Sequence, residues 1–392
     1  MKRATQLTEA GRRPEWTHGI VNPPVYHAST CVFATLAELD AAIAGPEARL
    51  YYGRRGTPTT WALEEALKDI EPGAAGVKLT PSGLSAVAAC LLAVLRPGDH
   101  LLMVDSAYEP TRLLSEGLLK EMGIKTDYYD PLIGAGIAPL IQPTTKAVFA
   151  ESPGSLTFEV QDLPAIAKAA HQAGAVVILD NTWATPLLFN GFQHGADMVV
   201  HALTKYVVGH SDAMLGSVAG TEKIWPRLKA SVYRLGLCAG PDDAYLGLRG
   251  LRTLEVRLRQ QAASALEIAR WLATHPLVDR VLHPALPSCP GHELWRRDFA
   301  GASGLFAFTL KAGRRAALAP LLDHMQLFRM GFSWGGYESL ILPAEPGRVR
   351  TATRWPASGP LLRLSIGLEA VEDLIADLAA GLDRLAESRH SP

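Results

Sequence analysis

At 392 residues the chain is too long for one small module and suggests about two or three domains, or one large domain with appendages. Hydrophobic residues make up 48% and charged residues 20%, with a mean hydropathy of +0.09, which excludes a disordered or fibrous chain. Lys and Arg number 38 against 39 Asp and Glu, so there is no basic footprint for nucleic acid or an anionic membrane, and neither partner is expected.

The start, Met1-Lys2-Arg3-Ala4-Thr5-Gln6, leads into polar residues without the apolar core of a signal peptide, so a soluble cytoplasmic protein is expected. Residues 1–55, with Pro14, Pro23, Pro24 and Pro46, read as an extended N-terminal arm rather than a core element. From Tyr51 to about Ala219 the texture alternates between strands and helices. Gly83–Leu95 is an uncharged, buried helix candidate that opens after Pro81-Ser82-Gly83. The uncharged stretch Leu79–Leu95 falls short of the ~20 residues a membrane span needs. Short apolar runs follow at Leu101–Val104, Ala147–Ala150, Val176–Leu179 and Met198–Val200, as expected for strands covered on both faces. Asp162–Ala173 has helical spacing and ends at Gly174. Strand, helix, strand at these intervals predicts a parallel α/β sheet within residues 56–245. Residues 246–392 form a second, smaller α/β unit. In it, Leu248–Leu272 reads as one long helix, Leu305–Leu310 as a strand and Ile366–Leu385 as a closing amphipathic helix. Cys31, Cys90, Cys238 and Cys289 show no C-x-x-C pair and read as buried, reduced thiols.

The common nucleotide and metal signatures fail. The chain has no Gly-Lys-Ser/Thr, Gly134-x-Gly136 lacks a third glycine, and none of the 12 histidines forms H-E-x-x-H, so no metal is expected. Four successive strand ends carry other chemistry: Tyr108, Glu151-Ser152-Pro153, Asp180-Asn181-Thr182 and Thr204-Lys205. In open α/β sheets, ligands bind outside the carboxyl ends of the strands. Taken singly, Asp180 and Lys205 read as structural rather than catalytic, a buried ion pair or a solvated loop lysine. Together with a Ser82-Gly83 helix start for a phosphate and an aromatic at Tyr108, they form the set that pyridoxal phosphate requires.

Longer runs carry a resemblance. They are Tyr51-Tyr52-Gly53-Arg54-Arg55-Gly56-Thr57, Ala107-Tyr108-Glu109-Pro110, Glu151-Ser152-Pro153-Gly154-Ser155, Asp180-Asn181-Thr182-Trp183-Ala184, Thr204-Lys205-Tyr206-Val207-Val208-Gly209-His210-Ser211-Asp212-Ala213 and Ser333-Trp334-Gly335-Gly336-Tyr337-Glu338-Ser339. Over essentially its whole length the chain resembles the Cys/Met-metabolism family of pyridoxal-phosphate enzymes. The resemblance implies a fold-type I architecture: a large doubly wound domain, a smaller C-terminal α/β domain and an N-terminal arm. It implies Lys205 as the residue joined to the cofactor and as the mobile base, Asp180 as partner of the pyridine nitrogen, and Tyr108 as the stacking aromatic. Ser82, Gly83, Leu84 and Thr204 would hold the phosphate. Tyr52 and Arg54 would reach it from a neighbouring subunit, in a homotetramer built from dimers that share active sites. Arg363 would clamp the substrate α-carboxylate, assisted by Ser333, Trp334 and Tyr52.

Two positions depart from the family pattern. Ala202 stands where many relatives carry Ser, which removes one phosphate hydroxyl. Phe332 stands where β-acting members tend to show Tyr and γ-acting members an acid. The reaction implied is α,β-elimination of a sulfur amino acid, cystathionine to homocysteine, pyruvate and ammonia. The alternatives are γ-elimination, cysteine desulfhydration, or a regulatory protein whose lysine is idle.

Overall fold

Seven short segments pair into one sheet in the computed structural model, which describes residues 2–45, 49–355 and 359–388. Met1, Pro46 and residues 389–392 lie outside the described residues. The strands are β1 (Gly76–Thr80), β2 (His100–Val104), β3 (Lys125–Tyr129), β4 (Thr145–Glu151), β5 (Val176–Asp180), β6 (Met198–His201) and β7 (Gly216–Gly220), in the order β1-β7-β6-β5-β4-β2-β3. The apolar runs expected to be strands are β2, β4, β5 and β6. Their residues Leu102, Val148, Ile178 and Val199 are fully buried, because helices cover both faces.

The sheet is mixed, which corrects the expectation of a parallel one. β7 runs antiparallel to both β1 and β6, because residues 202–215 return to the sheet without a crossover helix. The helices Gly83–Val94 and Leu163–Gln172 form where expected. Ser82 and Ser85 close a capping box on the first, and the Asp162 carboxylate accepts the Ala165 amide at 3.3 Å on the second.

A second sheet comprises β8 (Val278–Leu282), β9 (Leu305–Leu310), β10 (Arg329–Met330), β11 (Leu340–Ala344) and β12 (Leu361–Ser365), in the order β10-β11-β12-β9-β8. Phe306, Phe308, Ile341 and Leu364 of this sheet bury themselves against Leu374, Leu378 and Leu382 of the helix Val371–Ser388.

Four further expectations are corrected. The stretch Leu248–Leu272 is two helices, Pro241–Arg252 and Leu254–Thr274. They break at Thr253, whose amide turns back to the Gly250 carbonyl at 3.1 Å, while Gly250 itself lies against the carbonyls of Val207 and Val208. The last helix starts at Val371, not Ile366, because the Ile366 amide donates to the Gly304 carbonyl at 2.8 Å and prolongs the strand pairing. The N-terminal arm is not wholly extended. Arg3–Glu9 is helical, Leu7 and Ala10 join the main core, and Arg252 holds their carbonyls at 2.7 and 2.8 Å. Cys90 and Cys289 are buried, but Cys238 is exposed and Cys31 half-buried. Among the described residues, no helix is long and apolar enough to cross a membrane.

Candidate active site

The carboxyl ends of β4, β5 and β6 converge on one group of polar side chains. Lys205, just beyond β6, donates from Nζ to the Ser333 hydroxyl at 2.7 Å and lies 5.3 Å from the centre of the Trp334 ring. Ser333 holds a φ of +73°, a backbone conformation that residues other than glycine seldom adopt. Its carbonyl accepts a 2.8 Å hydrogen bond from Nη2 of Arg363, on β12, which fixes that turn beside the lysine. Residues 128 and 158 positions downstream of Lys205 thus meet it at one place, the second separation being 363 − 205.

The electrostatics follow from this crowding. Burial, reinforced by the Arg363 charge and opposed by Asp180, lowers the Lys205 pKa to about 8. Burial also lowers that of Arg363 to about 10. The Arg363 Nε is buried and has no hydrogen-bond partner among the described residues, so the fork presents an unused donor to whatever anion enters. Asp180, at the end of β5, accepts from the Thr182 amide at 3.0 Å and from the Thr182 hydroxyl at 2.5 Å. Burial raises its pKa, and the Thr182 bonds and the charges of His201 and Lys205 oppose that rise. The Thr182 hydroxyl also accepts the Ala202 amide at 2.9 Å, tying the end of β5 to the loop that carries Lys205.

The helix Gly83–Val94 begins at the same edge. Ser82 and Ser85 satisfy each other's amides at 3.1 and 3.0 Å, which leaves the amides of Gly83 and Leu84 without a partner inside the helix. A Cβ on Gly83 would stand 2.5 Å from the Ala202 Cβ, so glycine is what lets the helix start close on the lysine loop. Tyr108, 48% exposed, precedes the helix Glu109–Leu114 and donates its amide to Oε2 of Glu151 at 2.7 Å.

Lys205, Asp180, Tyr108, Ser82, Gly83, Leu84, Ser333, Trp334 and Arg363 are therefore gathered around the strand ends. Thr204 follows them in position, but its hydroxyl is turned to the backbone of Leu215, which it meets at 2.9 and 3.1 Å. Tyr52 and Arg54 are not brought to Lys205 within the chain. Tyr52 bridges to Thr30, and Arg54 donates to the Tyr233 carbonyl at 3.0 Å. Thr182 and Glu151, quoted within the strand-end runs but given no role there, are further polar contributors: Thr182 lies two residues after Asp180 and Glu151 faces it from the neighbouring strand.

An orphaned guanidinium donor, open amides at a helix start, a buried carboxyl and an amine of lowered basicity fit pyridoxal phosphate with an amino-acid substrate. The comparisons agree. The model of the family described as "Cys/Met metabolism PLP-dependent enzyme" matches residues 4–383. A putative cystathionine beta-lyase of Rhizobium johnstonii is 50% identical, with 96% of this chain and 95% of the relative covered. The cystathionine beta-lyase of Escherichia coli strain K12 is 48% identical, covering 97% and 98%. A cystathionine gamma synthase of Xanthomonas oryzae pv. oryzae, solved with aminoacrylate and cysteine, superposes with a TM-score of 0.90 at 35% identity and covers 99% of each chain. The chain belongs to the pyridoxal-phosphate-dependent enzymes of Cys/Met metabolism.

Proposed function

We propose that the enzyme is a carbon–sulfur lyase that catalyses α,β-elimination of L-cystathionine to L-homocysteine, pyruvate and ammonia. The observation that carries this reading is the sharing of about half its residues with relatives named for that reaction, against about a third with the gamma synthase. Phe332, 88% exposed beside Ser333, offers no acid for a distal ammonium, which weighs against a γ-acting enzyme but does not select cystathionine among β-substituted amino acids.

When bound, pyridoxal phosphate supplies an electron sink for bond breaking at the substrate α-carbon. The chain's own residues would do the rest. Arg363 receives the α-carboxylate on its free Nε edge, while its Nη2 stays on the Ser333 carbonyl and keeps the fork aimed. Lys205, beside that clamp, takes the α-proton and returns one to the departing sulfur. Asp180 would pair with the pyridine nitrogen, Tyr108 would cover the ring, and the amides of Gly83 and Leu84 with Ser82 would hold the phosphate, while the Thr204 hydroxyl, bound to the Leu215 backbone, would shape the loop beside it.

The deciding experiment incubates the holoenzyme with L-cystathionine and identifies the products. Pyruvate with homocysteine is expected. 2-Oxobutyrate with cysteine would show γ-elimination instead, and no turnover at all would favour the regulatory reading.

The same proposal makes the site a shared one, in dimers that build a homotetramer, with Tyr52 and Arg54 serving the partner's cofactor. It is supported by the bonding of Tyr52 and Arg54 to Thr30 and Tyr233 rather than to Lys205 of their own chain, and by the two adjacent cations, Arg54 and Arg55, which suit a phosphate dianion. Arg54→Ala and Lys205→Ala subunits, each inactive or nearly so, are expected to regain activity when unfolded and refolded together. In a mixed dimer one site then carries both defects and the other neither, so about half the sites recover. Verified mixed oligomers that stay inactive would assign Arg54 to its own chain.

A further inference from the structure

Glu151 has no role in the reaction as described, yet it stands at the floor of the site. It is the last residue of β4, and its register partner across the parallel pair is Asp180. Two residues in register on neighbouring strands point to the same face, so the carboxyls occupy one partly buried space. Two carboxyls so placed disfavour each other's ionisation. The two are served unequally. Asp180 accepts two hydrogen bonds from Thr182, and the charges of His201 and Lys205 act on it. Among the described residues the Glu151 carboxyl accepts only the Tyr108 amide, and no Lys, Arg or His pairs with it. The titratable groups facing Glu151 are Asp180 on β5 and Tyr108 ahead of the helix Glu109–Leu114. The first disfavours a second negative charge and the second offers only its backbone donor. Burial, then the Asp180 charge, pushes the Glu151 carboxyl well above the usual carboxylate range, in keeping with this geometry.

We propose that Glu151 is a positioning residue, uncharged in the working enzyme, whose carboxyl fixes Tyr108 by its backbone N–H and leaves the negative charge of the pair to Asp180. Tyr108 is 48% exposed, and its amide bond to Glu151 anchors it on the β4 side of the site. Without that anchor the ring loses its fixed place over the site while the remaining strand ends are untouched. The inference rests on the cofactor being pyridoxal phosphate and on no particular substrate, so it stands or falls apart from the β-elimination reading.

The test compares Glu151→Gln and Glu151→Ala as holoenzymes. The readouts are the cofactor's visible circular dichroism, the pH midpoint of its visible absorbance change and its dissociation constant. A Gln side chain keeps an oxygen that can accept the Tyr108 amide and carries no charge. The Gln variant is therefore expected to retain the dichroic band, an unmoved pH midpoint and a dissociation constant within about twofold of the parent, a change smaller than a typical hydrogen bond is worth. The Ala variant lacks the acceptor and is expected to lose much of the band and to bind pyridoxal phosphate about three- to tenfold more weakly, as the loss of one hydrogen bond predicts. If Glu151 were ionised, Glu151→Gln would remove an anion near the cofactor and lower the pH midpoint by roughly one unit, the size of a common near-charge effect. That shift, damage in the Gln variant equal to that in the Ala variant, or an Ala variant with its band and affinity intact would each overturn the proposal. Should the Ala variant fail to fold, the Gln variant decides the matter by its midpoint and band alone.

Discussion

Replacing Lys205 by Ala is expected to abolish turnover, lowering it by more than about 10³-fold, while pyridoxal phosphate still binds measurably. The expected size combines a lost proton carrier, which alone is commonly worth about 10²–10⁴-fold, with a lost covalent anchor. No neighbour can substitute. Arg363 keeps its proton at any working pH, and Ser333 is a hydroxyl whose oxygen already accepts the Lys205 bond. The open amides at the helix start and the Asp180 carboxyl remain, so affinity falls without vanishing. After dialysis, a variant that kept the visible band of the lysine-linked cofactor would remove Lys205 from the anchoring role. The lowered basicity gives the wild type a second signature. The amine attacks a carbonyl only when deprotonated, and its pKa in the folded protein is about 8 rather than 10.5. Reattachment of the cofactor to apoenzyme is therefore expected to accelerate as pH rises through about 8 and to level off above it. Removing the positive charge in Arg363→Leu relieves one cause of the depression and should move that midpoint upward. A midpoint that stays near 10.5 in the wild type would show that Lys205 is not buried as described.

How far such a site can be read in advance depends on where its information lies. β2, β4, β5 and β6 are legible because burial on both faces demands unbroken apolar runs, and the polar residue that ends each run falls at the ligand-binding edge by chain order alone. β1 and β7 escape the same reading. β1 contains Lys78, made tolerable by a 2.9 Å ion pair with Glu64, and β7 begins and ends in glycine. At Gly216 the reason is spatial: a Cβ there would run into the Ser82 carbonyl. The cradle of Gly83 against Ala202 is likewise a contact, between a helix start and the loop after β6, that neither residue announces. Arg363 and Ser333 lie in the second unit, and only folding reveals that one guanidinium holds the turn on which Lys205 rests. Resemblance to a family could name Arg363, but it could not show its unused Nε or the 2.8 Å bond that aims it. Leu7 was missed for a different reason. In the short helix Arg3–Glu9, Leu7 has only the small Ala4 and Ala10 at helical spacing, too weak a period to announce a buried face, so the groove it meets decides its burial.

Asp180→Ala and Asp180→Asn are expected to slow the reaction by roughly 10²-fold or more, the scale on which preorganised charges act in water-poor sites, while Asp180→Glu keeps part of the activity. The carboxyl sits where an anion is expensive to hold, since burial raises its pKa. Thr182 offsets that expense with an amide and a hydroxyl on the same oxygen, and the charges of His201 and Lys205 act in the same direction. So costly an arrangement makes sense only if the negative charge is used, and a protonated pyridine nitrogen is the partner the cofactor offers. Asn keeps the shape and loses the charge, so it separates electrostatics from packing; Glu keeps the charge and displaces it, which separates charge from distance. The sign with pH follows. In the cofactor-free protein burial raises the Asp180 pKa above the ordinary aspartate value, so the acid limb of pyridoxal-phosphate binding to apoenzyme should appear at higher pH than an exposed aspartate would give. Thr182→Ala removes the hydroxyl that favours the ionised form and should move that limb higher still. Turnover numbers and Michaelis constants for the three Asp180 variants, with the acid limb of Thr182→Ala, check the argument. Wild-type rates in Asp180→Ala would show that the charge is idle, and an unmoved limb in Thr182→Ala would show that the threonine braces the loop at Ala202 without tuning the acid.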